Sequence, residues 1–193
     1  MPFINYNSIL DIFINNLIPE TKIAVSKGNK IFGAFILKKS DLSLVVTGTN
    51  NEIVNPLYHG EISTIFNFFK LNQLNPKDYF FFSSHEPCSL CLSAITWSGF
   101  DNIYYFFPYE ETKMNFNIPH DLNILKEVFN INNGKYNENN VYWHSHSIIE
   151  KINSLKSEEK FKLSLKIEQI KGFYNDLSSN YLASKISNNI PLK

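Results

Sequence analysis

The chain has 193 residues, 44% of them hydrophobic and 19% charged, which fits one compact domain with some elaboration and excludes disorder throughout. Eighteen basic residues balance eighteen acidic ones, and every basic residue is Lys, which argues against nucleic-acid recognition built on bidentate Arg contacts. No apolar run reaches the roughly 18 residues of a membrane-spanning helix, and residues 1–6 lack the pattern of a secretory signal, so a cytoplasmic protein with no membrane partner is expected.

In chain order, Ser8 is an N-cap candidate for a first helix carrying Ile9, Leu10, Ile12, Phe13, Leu17 and Ile18, with Pro19 as its stop. Three β-rich stretches follow, at 22–25, 31–37 and 42–47, the first two joined by a turn at 27–30. Pro56 precedes a helical pattern over 59–71, and 79–83 reads as a short buried strand. Pro87 stands at a helix start, Leu90, Ile95 and Trp97 continue that helix to Gly99, and a strand follows at 103–107. This alternation implies an α/β domain with helices packed on a central sheet. From about 150, Leu163, Ile167, Ile170, Tyr174, Leu177 and Tyr181 mark a long amphipathic helix, expected to pack on its own core. We therefore divide the chain into an α/β domain at 1–149 and a C-terminal helical extension of that domain at 150–193. The aromatic clusters at 66–69, 79–82 and 104–107 are expected in the core rather than as base-stacking platforms.

Cys88 and Cys91 are the only cysteines. A Cys-x-x-Cys pair alone is compatible with zinc binding or with redox work. Upstream lies His59-Gly60-Glu61, and H-x-E followed by P-C-x-x-C resembles the signature of zinc deaminases. Thiols three residues apart on a helix lie close enough to share one zinc ion, and the helix dipole favours their thiolates. His59 would add a neutral nitrogen, leaving one tetrahedral position for water, and Glu61 would shuttle protons. His59 and Glu61 point roughly 200° apart if both are helical, so they converge only at an irregular helix entry. His144 and His146 could share a strand face but have no third ligand nearby, and His85 and His120 are not expected to bind metal.

The chain resembles the cytidine deaminase-like zinc deaminase superfamily over roughly residues 8–130. Glu86-Pro87-Cys88-Ser89-Leu90-Cys91, followed by Ala94-Ile95 and Trp97, is most similar to its guanine deaminase and tRNA adenosine deaminase branch. Asn55-Pro56-Leu57-Tyr58-His59 resembles that branch's acidic-Pro-x-x-His entry with Asn in place of the acid, and Gly60 stands where Ala is usual. The resemblance implies a three-layer α/β/α sandwich on a central mixed sheet, a Zn2+ ion on His59, Cys88 and Cys91, Glu61 as catalytic group, and a homodimer. It also implies substrate contacts from Asn50 of a Gly-x-Asn turn, from Gly60, from Trp97, and from Asp121 as the acid after the second zinc helix.

The function expected is hydrolytic deamination of a guanine-like or cytosine-like base or nucleoside, the neutral charge favouring a small substrate over RNA. The alternatives are tRNA adenosine deamination, a non-catalytic zinc-stabilised binding module, and a Cys-x-x-Cys oxidoreductase.

Overall fold

The molecule is organised around a strand buried at all seven positions, β3 (Tyr79–His85), whose aromatic run over its first four residues suits a strand covered on both faces. The computed structural model describes residues 4–72 and 74–193. The sheet also contains β1 (Gly33–Lys38), β2 (Leu44–Thr49), β4 (Asn102–Phe107) and β5 (His144–Ser147), in the order β2-β1-β3-β4-β5. β1 runs antiparallel to β2 and β3, whereas β3, β4 and β5 are parallel. Mixed polarity follows from the connections: a short turn joins β1 to β2, and helical crossovers join the parallel strands.

Helices cover both faces. On one lie α1 (Tyr6–Ile12), α2 (Ile18–Ser26), α7 (Ile148–Asn153) and α8 (Ser157–Ser184), which share a core with Phe35, Phe82 and Phe106. On the other lie α3 (Gly60–Phe69) and α4 (Ser89–Ser98), packed on Ile36, Phe81 and Ile103. Two more helices, α5 (Tyr109–Phe116) and α6 (His120–Phe129), fill the connection from β4 to β5. This is the expected three-layer α/β/α sandwich. No helix among the described residues is long and apolar enough to cross a membrane.

The first fifty residues depart from the sequence reading in four places. Asn5, not Ser8, caps α1, its side chain accepting from the Ser8 N–H. Pro19 does not stop the helix, because a π-helical turn at Phe13–Leu17 precedes it and Pro19 enters the first turn of α2, where its missing N–H is no loss. Residues 22–25, expected as a strand, continue that helix. Their β-branched side chains are overridden by the burial of Leu17, Ile18, Thr21, Ala24 and Val25 along one face at helical spacing. The turn at 27–30 is accordingly a helix end rather than a strand connection.

The long C-terminal helix forms as expected and packs on α1 and α2, burying Leu163, Ile170, Tyr174, Leu177 and Tyr181. A fully buried side chain of this kind stabilises the fold by about 1.5–3 kcal/mol, so the extension is a wall of the core. Two of the aromatic clusters are internal, but in the third only Phe68 is buried, and Phe66 and Phe69 are exposed.

His144 and His146 share one face of β5, with ring centroids 6.4 Å apart, and no third donor joins them among the described residues. Burial, aided by the Lys151 charge, pushes His146 down to about 4. The unfolded chain, with a histidine pKa of about 6.5, takes up a proton that the folded chain refuses, so this group costs stability as pH falls from about 6.5 to about 4. His146→Gln should therefore flatten the acid limb of stability against pH. Urea titrations of variant and parent at matched pH check this, and parallel limbs would remove His146 from the account.

Candidate active site

Both chain segments that carry the expected donors place a donor at the residue just before a helix. His59 is extended, with φ −66° and ψ 161°, and α3 begins at Gly60. Cys88 is likewise extended, with φ −63° and ψ 170°, and α4 begins at Ser89. Neither side chain caps its own helix, and both turn inward instead. This non-helical entry resolves the phase problem: His59 lies outside the helical rotation, so it converges with Glu61 in the first turn of α3. Cys91, one turn into α4, completes the group. Two helix N-termini therefore meet at one point, and their dipoles favour negative charge there.

The distances are Cys88 Sγ to His59 Nδ1 3.4 Å, Cys91 Sγ to His59 Nδ1 3.6 Å, and Cys88 Sγ to Cys91 Sγ 3.5 Å. A tetrahedral zinc with bonds of about 2.3 Å to sulfur and about 2.0–2.1 Å to nitrogen needs edges of about 3.8 Å between sulfurs and about 3.6 Å between sulfur and nitrogen. The triangle matches to a few tenths of an ångström, and its two sulfurs and one imidazole are the donor set that zinc prefers. The residues fit the ion.

The three donors set one another's charge. The Cys88 thiol is held well below its usual range by the hydrogen bond with Cys91, against burial, with His59 helping. Burial pushes the Cys91 thiol up. Burial pulls His59 down, but its hydrogen bond to Cys88 and the Cys88 charge outweigh this and set it at about 9.

Glu61 is 4% exposed, with Oε2 3.2 Å from Cys91 Sγ, and Oε1 accepts from the Ser83 hydroxyl at 2.8 Å. Burial raises its pKa. Ser83 lies on β3, so the sheet itself fixes this carboxylate. Glu86 is pinned by the Tyr109 N–H at 3.0 Å, Tyr109 Oη donates to the Pro87 carbonyl at 2.5 Å, and burial pushes Glu86 up to about 7.

A small cavity of about 10 Å3, the space of roughly one water molecule, lies among His59, Glu61, Cys88, Cys91 and Asp121. It adjoins a cavity of about 230 Å3 walled by Leu57, Leu90, Ile124 and the tail residues Ile190, Pro191 and Leu192, with Asp121 and His120 among its polar groups. Asp121, its pKa raised by burial, lines both cavities.

Three other expected contacts are placed elsewhere. Asn50 lines neither cavity: its Oδ1 accepts the Gly60 N–H at 2.5 Å and its Nδ2 donates to Glu52 at 2.8 Å, so it serves the entry of α3. Gly60 thereby has its N–H occupied, and its lack of a side chain answers a packing need. A Cβ there would meet Gly33 Cα at 2.6 Å and Gly33 N at 2.9 Å. Both are backbone atoms that cannot swing aside, so Gly60→Ala should destabilise by about 1–3 kcal/mol, read as a fall in Tm of roughly 2–12 °C. An unchanged Tm would contradict the packing argument. Trp97 is 92% exposed on the outer side of α4 and lines neither cavity. It lies two helical turns beyond the N-terminus that holds the donors, so the helix carries it away from them. His85 is caged by aromatic rings and lines the small cavity without joining the donor group.

Sequence reasoning assigned no role to Glu52, Lys30, Ser83 or Glu86. Glu86 opens the Glu-Pro-Cys motif, whereas nothing in spacing separates Glu52 from a solvated loop acid.

The family model of the cytidine and deoxycytidylate deaminase zinc-binding region matches residues 10–107. The chain is 32% identical over 89 residues to a tRNA-specific adenosine deaminase of Rickettsia bellii (strain RML369-C), a match covering 45% of this chain and 61% of that protein. It is 33% identical over 89 residues to the protein of the same name from Rickettsia felis (strain ATCC VR-1525 / URRWXCal2), over 45% and 62% respectively. The chain thus spans less than two thirds of the length of these curated relatives. Among solved structures, guanine deaminase from Bacillus subtilis superposes with a TM-score of 0.53 at 24% identity, over 68% of this chain and 85% of that one. Guanine deaminase from Nitrosomonas europaea superposes with a TM-score of 0.55 at 14% identity, over 84% and 81%. Both show the shared fold. With the motif matched, the fold shared and the donors converged, the chain belongs to the cytidine and deoxycytidylate deaminase zinc-binding family.

Proposed function

We propose that the chain is a zinc-dependent hydrolytic deaminase of a guanine-like or cytosine-like base or nucleoside, acting through His59, Cys88 and Cys91 as metal ligands and Glu61 as proton shuttle. The observation that carries this reading is a buried carboxylate, Glu61, seated 3.2 Å from one thiol of the donor triad beside a cavity sized for a single heterocycle. A zinc site that served stability alone would be closed by a fourth protein ligand and would need no acid–base group. When bound, zinc supplies the Lewis acidity that makes water a nucleophile near neutral pH.

The chain's own residues do the rest. Glu61 Oε2 takes a proton from the attacking water and delivers it to the ring nitrogen beside the amino-bearing carbon. The second water proton passes through the same carboxylate to the amino group, which leaves as ammonia while the carbonyl forms. Ser83 holds the other oxygen of Glu61 and so keeps it oriented through both transfers. Asp121 offers a carboxyl to the polar edge of the ring, and the apolar wall of Leu57, Leu90 and Ile190 takes its faces. Asp121→Ala should raise KM about tenfold or more with zinc content unchanged, the loss expected for one good polar contact, and an unchanged KM would remove it from the substrate.

The cavity supports a small substrate. Its volume of about 230 Å3 lies below the range of about 300–1,000 Å3 usual for drug-sized ligands, and Ile190, Pro191 and Leu192 stand in its wall. One base with or without a sugar suits that space better than an RNA loop, and a chain of zero net charge has little general attraction for phosphates. The second reading, tRNA adenosine deamination, is favoured by the names of the Rickettsia relatives. An ammonia-release screen over guanine, cytosine, adenine, their nucleosides and a tRNA anticodon stem separates the two. Turnover of a free base or nucleoside supports the first, turnover of the stem alone supports the second, and none at all with a zinc-loaded protein sinks both.

We also propose a homodimer, supported by Phe66, Phe69 and Trp97, large apolar side chains exposed on the two helices that carry the donors. Sedimentation at micromolar concentration should give twice the chain mass, and a monomer would refute it.

A further inference from the structure

An imidazole that gives one nitrogen to a metal must keep its hydrogen on the other, and what faces that second nitrogen decides how firmly the ligand is held. His59 presents Nδ1 to the two thiols. Its Nε2 lies 3.8 Å from Oε1 of Glu52.

Glu52 sits in the loop between β2 and α3 yet is only 3% exposed. Burying a carboxylate is costly unless it is paired and hydrogen-bonded, and here it is both. Lys30 Nζ reaches the same Oε1 at 2.8 Å, Asn50 Nδ2 donates to Oε2 at 2.8 Å, and the Lys30 N–H approaches Oε2 at 3.4 Å. Lys30 is itself 5% exposed. Asn50 closes the circuit by accepting the N–H of Gly60, the residue after His59. The carboxylate is therefore fixed from β1's approach, from the β2 loop and from the start of α3 at once, and the imidazole is left within a small ring rotation of it.

We propose that Glu52 is the positioning residue of His59: anchored by Lys30 and Asn50, it holds the imidazole with hydrogen on Nε2 and the Nδ1 lone pair directed at the metal. Glu52 acts through His59 and not on the reacting atoms. The separation of 3.8 Å is longer than a hydrogen bond, and a turn of the imidazole toward Oε1 would close it. Lys30 compensates the buried charge, so that the pair costs the fold little while leaving one direction of Oε1 open to His59. Asn55, which replaces the acid of the family's entry motif, is engaged elsewhere, its Oδ1 accepting the Leu57 N–H at 3.0 Å.

Glu52 and Lys30 also line the larger cavity, so a direct contact with substrate is the rival role. The two roles separate on zinc affinity measured without substrate, a readout that stands whether or not the chain deaminates a base. Outer-shell partners of this kind typically contribute 10–100-fold in metal affinity. Competition with a chromophoric chelator should show Glu52→Gln binding zinc at least tenfold more weakly than the parent, with the far-ultraviolet circular dichroism of the metal-free protein unchanged. Lys30→Met with Glu52→Met replaces the whole buried pair by apolar groups of similar length, a change that cores tolerate. It should show the same loss, which covers the case in which the single variant folds poorly. A folded variant of either kind that holds zinc within tenfold of the parent overturns the proposal, including one that raises KM alone.

Discussion

Cys88→Ala and Cys91→Ala should each release the metal and lower Tm by roughly 8–16 °C at a free zinc concentration near a thousand times the parent's Kd. That concentration corresponds to about 4 kcal/mol of binding linkage, and each kcal/mol moves Tm by about 2–4 °C in a chain of this size. The two cysteines stand 3.5 Å apart at the mouth of α4, each within 3.6 Å of His59 Nδ1, so losing either leaves two donors and no closed triangle. Both are buried, and alanine would also leave a small void among packed groups. Metal content by atomic emission and melting with and without a chelator check the prediction. The parent should fall towards the level of the variants when chelator is added, staying above it by the cost of the void, and the variants should not respond. A Cys-x-x-Cys oxidoreductase would behave otherwise, holding no stoichiometric zinc and keeping its Tm in chelator.

Glu61→Gln should keep zinc at the parent level and lose roughly 10²–10⁴-fold in kcat, the usual contribution of a positioned acid–base group. The amide is nearly isosteric and can still accept from the Ser83 hydroxyl, so neither packing nor the donor triangle is disturbed. It cannot carry a proton between water, ring nitrogen and leaving group. Because Glu61 belongs to the first turn of α3 while His59 precedes it, metal binding and proton transfer are separable by mutation. Retained turnover in a zinc-replete variant would falsify the assigned shuttle.

Much of this was readable in the residues, and the limits have physical causes. His59, Glu61, Cys88 and Cys91 were legible because H-x-E followed by P-C-x-x-C resembles the zinc deaminase signature, which is made of two local patterns. That His59 and Cys88 would both sit at extended positions before their helices was not readable in detail, although the 200° phase conflict between His59 and Glu61 required an irregular entry. The segment 22–25 misled because Ile23 and Val25 carry β propensity. The spacing of Leu17, Ile18, Thr21, Ala24 and Val25 was the better guide, because tertiary burial outweighs a few tenths of a kcal/mol of propensity. The π-helical turn that admits Pro19 has no sequence signature.

Substrate contacts were the least legible. Asn50 and Gly60 belong to the site's framework, Trp97 faces outward, and Asp121 alone reaches the cavity. Glu52 and Lys30, 22 residues apart in the chain, meet only because β1 and β2 pair antiparallel and bring their flanking loops together. A long-range pair of that kind is invisible to periodicity and motif.

X-ray absorption at the zinc edge of the purified protein tests the central claim most directly. The arrangement of His59, Cys88 and Cys91 predicts one ion per chain with two sulfurs at about 2.3 Å and a nitrogen at about 2.0–2.1 Å, in a shell that changes when Cys91 is replaced. A shell without sulfur, or one indifferent to loss of both cysteines, would contradict it.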